Sequence, residues 1–346
     1  MEISIPSLNT SDTLKFIKNL HEMDMTNESN VKFMFNPNWI RPLGTILCCS
    51  AIKKFRECNP NIPMEMTIGD NQATDYAGHM GFYQFISEQL EIGNAPGEAR
   101  GNENYVPITV IDFDILHREA IESGNFGDLN DTIENEAKRL SRVLCRNDTN
   151  MHKLFSYIIR EILRNIPEHA CTNKAIICAQ YWRDGYAQIA IMDEGIGIKN
   201  SLRKNTVHKE YIASDLDALE SSIKPGISQS FSPDRKNKSS DAWSNSGFGL
   251  YMASEICKRL QGTFWMASGE KAIQVNSHAV TSLDTFFEGT AIGIMFKASS
   301  LRDSQGLISE IAKAGEEEAK SIRNAFKHAS EPSKSLLMNS KGMTQK

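Results

Sequence analysis

The chain has 346 residues, 40% hydrophobic and 23% charged, which suffices for two ordinary globular cores and excludes a fibrous or wholly disordered protein. Its formal net charge of −5 removes any general electrostatic case for nucleic acid as a partner. Seven scattered cysteines form no CxxC pair and no metal-ligand grouping with histidine, so they read as reduced thiols rather than disulfides or a zinc site.

The first residues, MEISIPSLNT, lack the basic-then-apolar layout of a signal peptide, and the longest apolar run, 43–52, is too short to cross a bilayer. A cytoplasmic protein without a membrane span is expected. Residues 31–35 read as a strand. Residues 42–55 read as a helix, with Leu43, Ile46, Leu47, Ala51 and Ile52 near helical spacing, and 62–68 alternate like a second strand. A further apolar segment starts in YAGHMGFY at 76–83, where His79 beside two glycines reads as a turn residue. VPITVID at 106–112 reads as a strand closing a small α/β unit.

Residues 124–150 are charged, and Leu129, Ile133, Ala137, Leu140 and Val143 recur at helical steps within 128–146. This segment is expected to open a second domain after a division near 125, which implies that the second part folds without the first. Next comes FSYIIREILRNIPEHA at 155–170. On a helix, Glu161, Asn165 and His169 form one polar stripe, while Ile158, Ile159, Ile162 and Ile166 supply the apolar side. Pro167 deletes a backbone donor, so the helix is expected either to kink there or to end early.

Strand-like runs at 175–181 and 186–192 lead to Asp193-Glu194-Gly195-Ile196-Gly197-Ile198, in which an apolar strand ends on an acid and turns sharply. Residues 199–246 are polar, with Ser228, Ser230, Ser232, Ser239, Ser240, Lys224, Arg235, Lys236 and Lys238. They read either as a mobile lid or as disorder. Ser246-Gly247-Phe248-Gly249-Leu250 then opens a helix over 251–260, whose first N–H groups suit a phosphate. Strands at 263–267, 272–275 and 290–296 complete a mixed sheet, with the 155–170 and 251–260 helices on one face. Gly289-Thr290 precedes the last strand. An amphipathic helix within 301–330 and a disordered polar tail are expected to follow. A Walker A lysine pattern is absent from the sequence.

An E-x-x-x-N helix (Glu161, Asn165), DxGxGI (Asp193, Gly195, Gly197), GxGL (Gly247, Phe248, Gly249, Leu250) and a closing GT (Thr290), in that order, resemble the GHKL superfamily of ATPases, also called HATPase_c or Bergerat-fold proteins. The resemblance covers about residues 130–300 and implies an α/β sandwich that binds ATP with Mg²⁺. It implies that Asp193 accepts a hydrogen bond from the adenine amino group, that Asn165 holds Mg²⁺ through its amide oxygen, and that Glu161 orients or deprotonates the attacking water. Gly195, Gly197, Gly247 and Gly249 would admit the nucleotide to the backbone, Phe248 and Leu250 would flank the phosphate loop, and Thr290 would help hold the base. For His169, packing and nucleotide contact stay open, as does phosphate contact for Lys224.

The layout strand, helix, strand, helix in 1–125 is similar to a STAS domain. The region of that family's phosphorylated serine holds Trp39-Ile40-Arg41-Pro42-Leu43, with no serine until Ser50. The whole resembles a bacterial stand-alone GHKL regulator of the kind found in regulatory and genome-defence operons. This implies an ATPase acting as a nucleotide-gated switch on a protein partner, alone or as a homodimer. The alternatives are an anti-sigma-like serine kinase and a non-hydrolysing ATP-sensing scaffold.

Overall fold

A computed structural model describes residues 1–122, 124, 128–145, 148–231, 246–297 and 303–334. Two sheets organise them. The first has three parallel strands, β1 (Glu2–Ile5), β2 (Val31–Phe35) and β3 (Met64–Ile68), in that spatial order. Parallel neighbours need a crossover, and helices α1 (Thr10–His21) and α2 (Pro42–Cys58) supply it. Asn9 caps α1 by accepting from the Asp12 N–H, while Pro42 starts α2 at a position where its missing donor costs nothing. Two short helices, α3 (Gln72–His79) and α4 (Phe82–Ile86), follow β3.

The second sheet runs β4-β5-β6-β8-β7, with β4 (Tyr105–Asp112), β5 (Lys174–Tyr181), β6 (Tyr186–Asp193), β7 (Thr263–Val275) and β8 (Val280–Lys297). A mixed sheet was expected, but every adjacent pair is antiparallel. One face carries the long helices α6 (Leu129–Cys145) and α7 (Thr149–His169), together with α11 (Gly249–Arg259) and α12 (Ser304–Ala319). The other face is covered by α2. Along β5 and β6, Ile177, Ile189 and Ile191 join the α7 core, whereas Ile176, Cys178, Ala190 and Met192 join a core with Leu43, Ile46, Leu47 and Cys49. Burial on both faces explains why KAIICAQ and AQIAIM read as nearly unbroken apolar runs. Beyond the sheet, α1 packs on the extended part of β8, where the Thr285 hydroxyl donates to the Leu14 carbonyl at 3.1 Å.

Strand β4, expected within the small N-terminal sheet, is instead the edge of the second sheet and pairs with β5. Its Val106 and Ile111, and Phe113 at the start of α5 (Phe113–Glu122), are buried in the core under α7, which ties this segment to the sheet. The expected division near 125 therefore falls after a strand that the second sheet uses. Helix α7 does not end at Pro167. It continues to His169, where the Ala170 N–H donates to Ile166 at 3.0 Å, because Ile158, Ile162 and Ile166 are pinned in the core.

The first part of the expected polar lid is compact. Residues 197–222 form α8 (Gly197–Arg203), α9 (Thr206–Lys209) and α10 (Asp215–Ser222). Leu202, Ile212, Ala218 and Ile227 make a small core there with Ala325 from the C-terminal region. Ser232, Arg235, Lys236, Lys238, Ser239 and Ser240 lie outside the described residues. The expected C-terminal helix stops at Ala319, and 320–330 runs on as turns to the short α13 (Glu331–Lys334). Of the expected polar tail, 335–346 lies outside the described residues. Among the described residues, no helix is long and apolar enough to cross a membrane.

Candidate nucleotide site

The site is built where α7, the β6 end and the α11 start converge. Asp148 caps α7 by accepting from the Asn150 and Met151 N–H groups. The 3.6-residue repeat then brings Asn165 and His169 into one cleft with Asp193, Gly197, Gly247, Gly249, Leu250 and Thr290, between walls that include Ile162, Ile166 and Ile191.

At one end Asp193 finishes β6. Its Oδ1 accepts from the Gly195 N–H at 2.9 Å, and Thr290, its register partner on β8, donates through both its N–H and its hydroxyl. Burial dominates these bonds and pushes the Asp193 carboxyl up to about 6. Gly289, with φ +119°, brings backbone against the Asp193 carbonyl where any Cβ would collide. Ser268 adds a brace that motif reading missed: its hydroxyl accepts from the Ile198 N–H at 3.0 Å and donates to the Gly289 carbonyl at 2.7 Å. That brace joins the two loops around the acid.

At the other end the chain enters α11 through Gly247, at φ +71° and packed on the Ile227 carbonyl. A Cβ on Gly249 would stand 3.0 Å from Glu161 Oε2, so the helix start and the α7 carboxylate share one spot. The free N–H groups of such a start bind anions.

Glu161 is 6% exposed and stands behind Gly249 rather than in the cleft wall. Its Oε1 faces Arg160 Nη2 at 3.2 Å and Arg164 Nη1 at 3.6 Å. Arg164 reaches on to Glu168 at 3.1 Å, and Arg160 to Glu134 of α6 at 3.9 Å. Motif reading missed both arginines, although their place inside REILR, on a helix with apolar residues at every turn, was a usable signal.

Of the remaining expected residues, only His169 lines the cleft. Phe248 is fully buried and meets Tyr251 edge-on, serving the core rather than the cleft. Gly195 abuts the Ala170 carbonyl at the end of α7, a close approach that a side chain would block. Lys224 is exposed and does not line the cleft, because the turn after α10 points it outward. His169 does line the cleft, and burial holds its imidazole below the usual range.

Ser201 donates to Gln229 Oε1 at 2.9 Å, and both residues line the cleft, whose cavity measures about 80 Å³. Among the described residues no three His, Cys, Asp or Glu side chains cluster as a metal cage. A divalent ion there would take most ligands from phosphate and water, and the Asn165 carboxamide oxygen fits such a role.

Residues 152–292 match the family model described as histidine kinase-, DNA gyrase B- and HSP90-like ATPase. The matched span contains Glu161, Asn165, Asp193, both glycine loops and Thr290. The chain thus carries a HATPase_c domain over 152–292, the ATP-binding module of a superfamily of ATPases and kinases. No curated protein matches the chain.

Proposed function

We propose that the cleft binds Mg·ATP and that the chain hydrolyses it, as a nucleotide-gated switch acting on a protein partner. The observation that carries this reading is the pairing of a buried acceptor, Asp193, at one end of the cleft with a glycine-opened helix start beside Glu161 at the other. An adenine amino group donates to Asp193, and guanine, which presents a carbonyl at that position, is rejected. The triphosphate extends toward the first N–H groups of α11. Asn165 would hold Mg²⁺, which when bound supplies charge neutralisation between phosphate oxygens. Glu161 takes the proton of the attacking water, and Arg160 and Arg164 balance its buried charge.

The three-stranded parallel sheet with helical crossovers supports reading a STAS-like regulatory layer within 1–125. Its α2 lies on the ATPase sheet, so a signal from a partner has a short route to the nucleotide. Calorimetric titration with a non-hydrolysable ATP analogue and Mg²⁺ tests the reading, with Asn165→Ala alongside. Magnesium-dependent binding that weakens in the variant supports it, and absence of binding by the natural chain overturns it.

A further inference from the structure

The C-terminal segment packs in a defined register against the residues that precede the second glycine loop. The Phe326 N–H donates to the Gly226 carbonyl at 2.8 Å, and the Ser330 N–H to Ser246 Oγ at 3.0 Å, at the threshold of the second glycine loop. The Tyr157 hydroxyl donates to the Ser333 carbonyl at 3.0 Å. These bonds present the Ser333 hydroxyl, 2% exposed, to Glu161: Oγ lies 3.4 Å from Oε2, the carboxylate oxygen that faces Gly249.

A hydroxyl held against the candidate base, which itself abuts Gly249 at the α11 start, is placed to compete with water for that base. We infer that Ser333 is an in-chain phosphoryl acceptor, phosphorylated from the ATP bound in the same molecule. This rests on the proposed ATP-binding reading and deepens it by naming the acceptor.

In the step, Ser333 Oγ forms a bond to the γ-phosphorus, and the bond from that phosphorus to the β,γ-bridging oxygen breaks. The bond electrons leave with ADP, and the hydroxyl proton passes to Glu161. No oxidant or further reactant is required. The chemistry is that of hydrolysis with a serine hydroxyl in place of water.

The test uses the full chain with γ-labelled ATP and Mg²⁺, reading in parallel protein-bound label, its position by peptide mass spectrometry, free phosphate, and binding of a fluorescent ATP analogue. Expected is label on Ser333 approaching one per chain, at a fractional rate independent of protein concentration. Ser333→Ala should lose the label while still binding the analogue, Ser333→Thr should restore it in part, and Glu161→Gln should bind without labelling. Analogue binding with free phosphate and no label on Ser333 overturns the acceptor assignment while leaving the ATPase reading intact. Label elsewhere, or a fractional rate that rises with protein concentration, overturns it too. Failure to bind the analogue removes both readings together.

Discussion

Leu43 of α2 packs directly on the backbone of Gly293 in β8, so closely that a Cβ on the glycine would stand 2.5 Å from Leu43 Cδ2. The two layers meet there without a spacer. Gly293→Val would force helix and sheet apart, and overpacking of this kind costs about 1–3 kcal/mol. Urea unfolding of the variant should show a midpoint lowered accordingly, with the cleft residues on the opposite face little affected.

Removal of residues 1–125 should not leave a well-behaved nucleotide binder. It strips α2 from Ile176, Cys178, Ala190 and Met192 and turns β5 into an edge by taking away β4. Apolar surface and unpaired strand groups exposed together favour association. Size-exclusion chromatography of the truncated chain should show aggregates. A monodisperse, folded product would mean that the N-terminal layer is dispensable for the second sheet.

Asp193 sets stability against binding. Its carboxyl lies at about 6 in the folded chain against a reference of 3.8, so between those values the folded state holds more protons than the unfolded one. Stability therefore falls as pH rises through that window and stays low above it, by about 3 kcal/mol. Asp193→Asn should recover up to about 3 kcal/mol at neutral pH and flatten the slope below it. The same variant should bind ATP about tenfold more weakly or worse, since the proposed acceptor of the adenine amine is changed. Denaturation at a series of pH values, with nucleotide titration of the same samples, checks both halves.

Arg160 is 1% exposed and stands between Glu161 and Glu134. Truncating one member of a buried charge cluster leaves its partners uncompensated, at about 3–5 kcal/mol. Arg160→Ala should therefore lower the unfolding midpoint far more than an exposed change such as Lys320→Ala, by thermal or urea denaturation.

Much of the cleft was legible because its requirements are local. An acid ending a strand, glycines where backbone must approach, and a carboxylate and carboxamide one turn apart are all written within a few residues. Residues 31–35 and 42–55 likewise announce a strand and a helix through side-chain period. Period says nothing of partner, however: VPITVID looks like any strand, and only the core under α7 decides that it pairs with 174–181. The compactness of 199–231 was hidden because its few apolar residues, Leu202, Ile212 and Ala218, are completed by Ala325 from a distant segment. Ser333 was invisible for the same reason, since it meets Glu161 across 172 positions of chain.

Because β6 lies in the middle of its sheet with both faces covered, its amides should exchange with solvent only when the whole domain opens. Asp193 ends that strand, whereas the second glycine loop is flanked by turns at 226–231 and 320–330 that hold to the body through a small core and a few hydrogen bonds. If the proposed reading holds, the base end of the cleft is anchored to a central, doubly covered strand and the phosphate end to turn segments at its rim, so the two ends would open on different timescales.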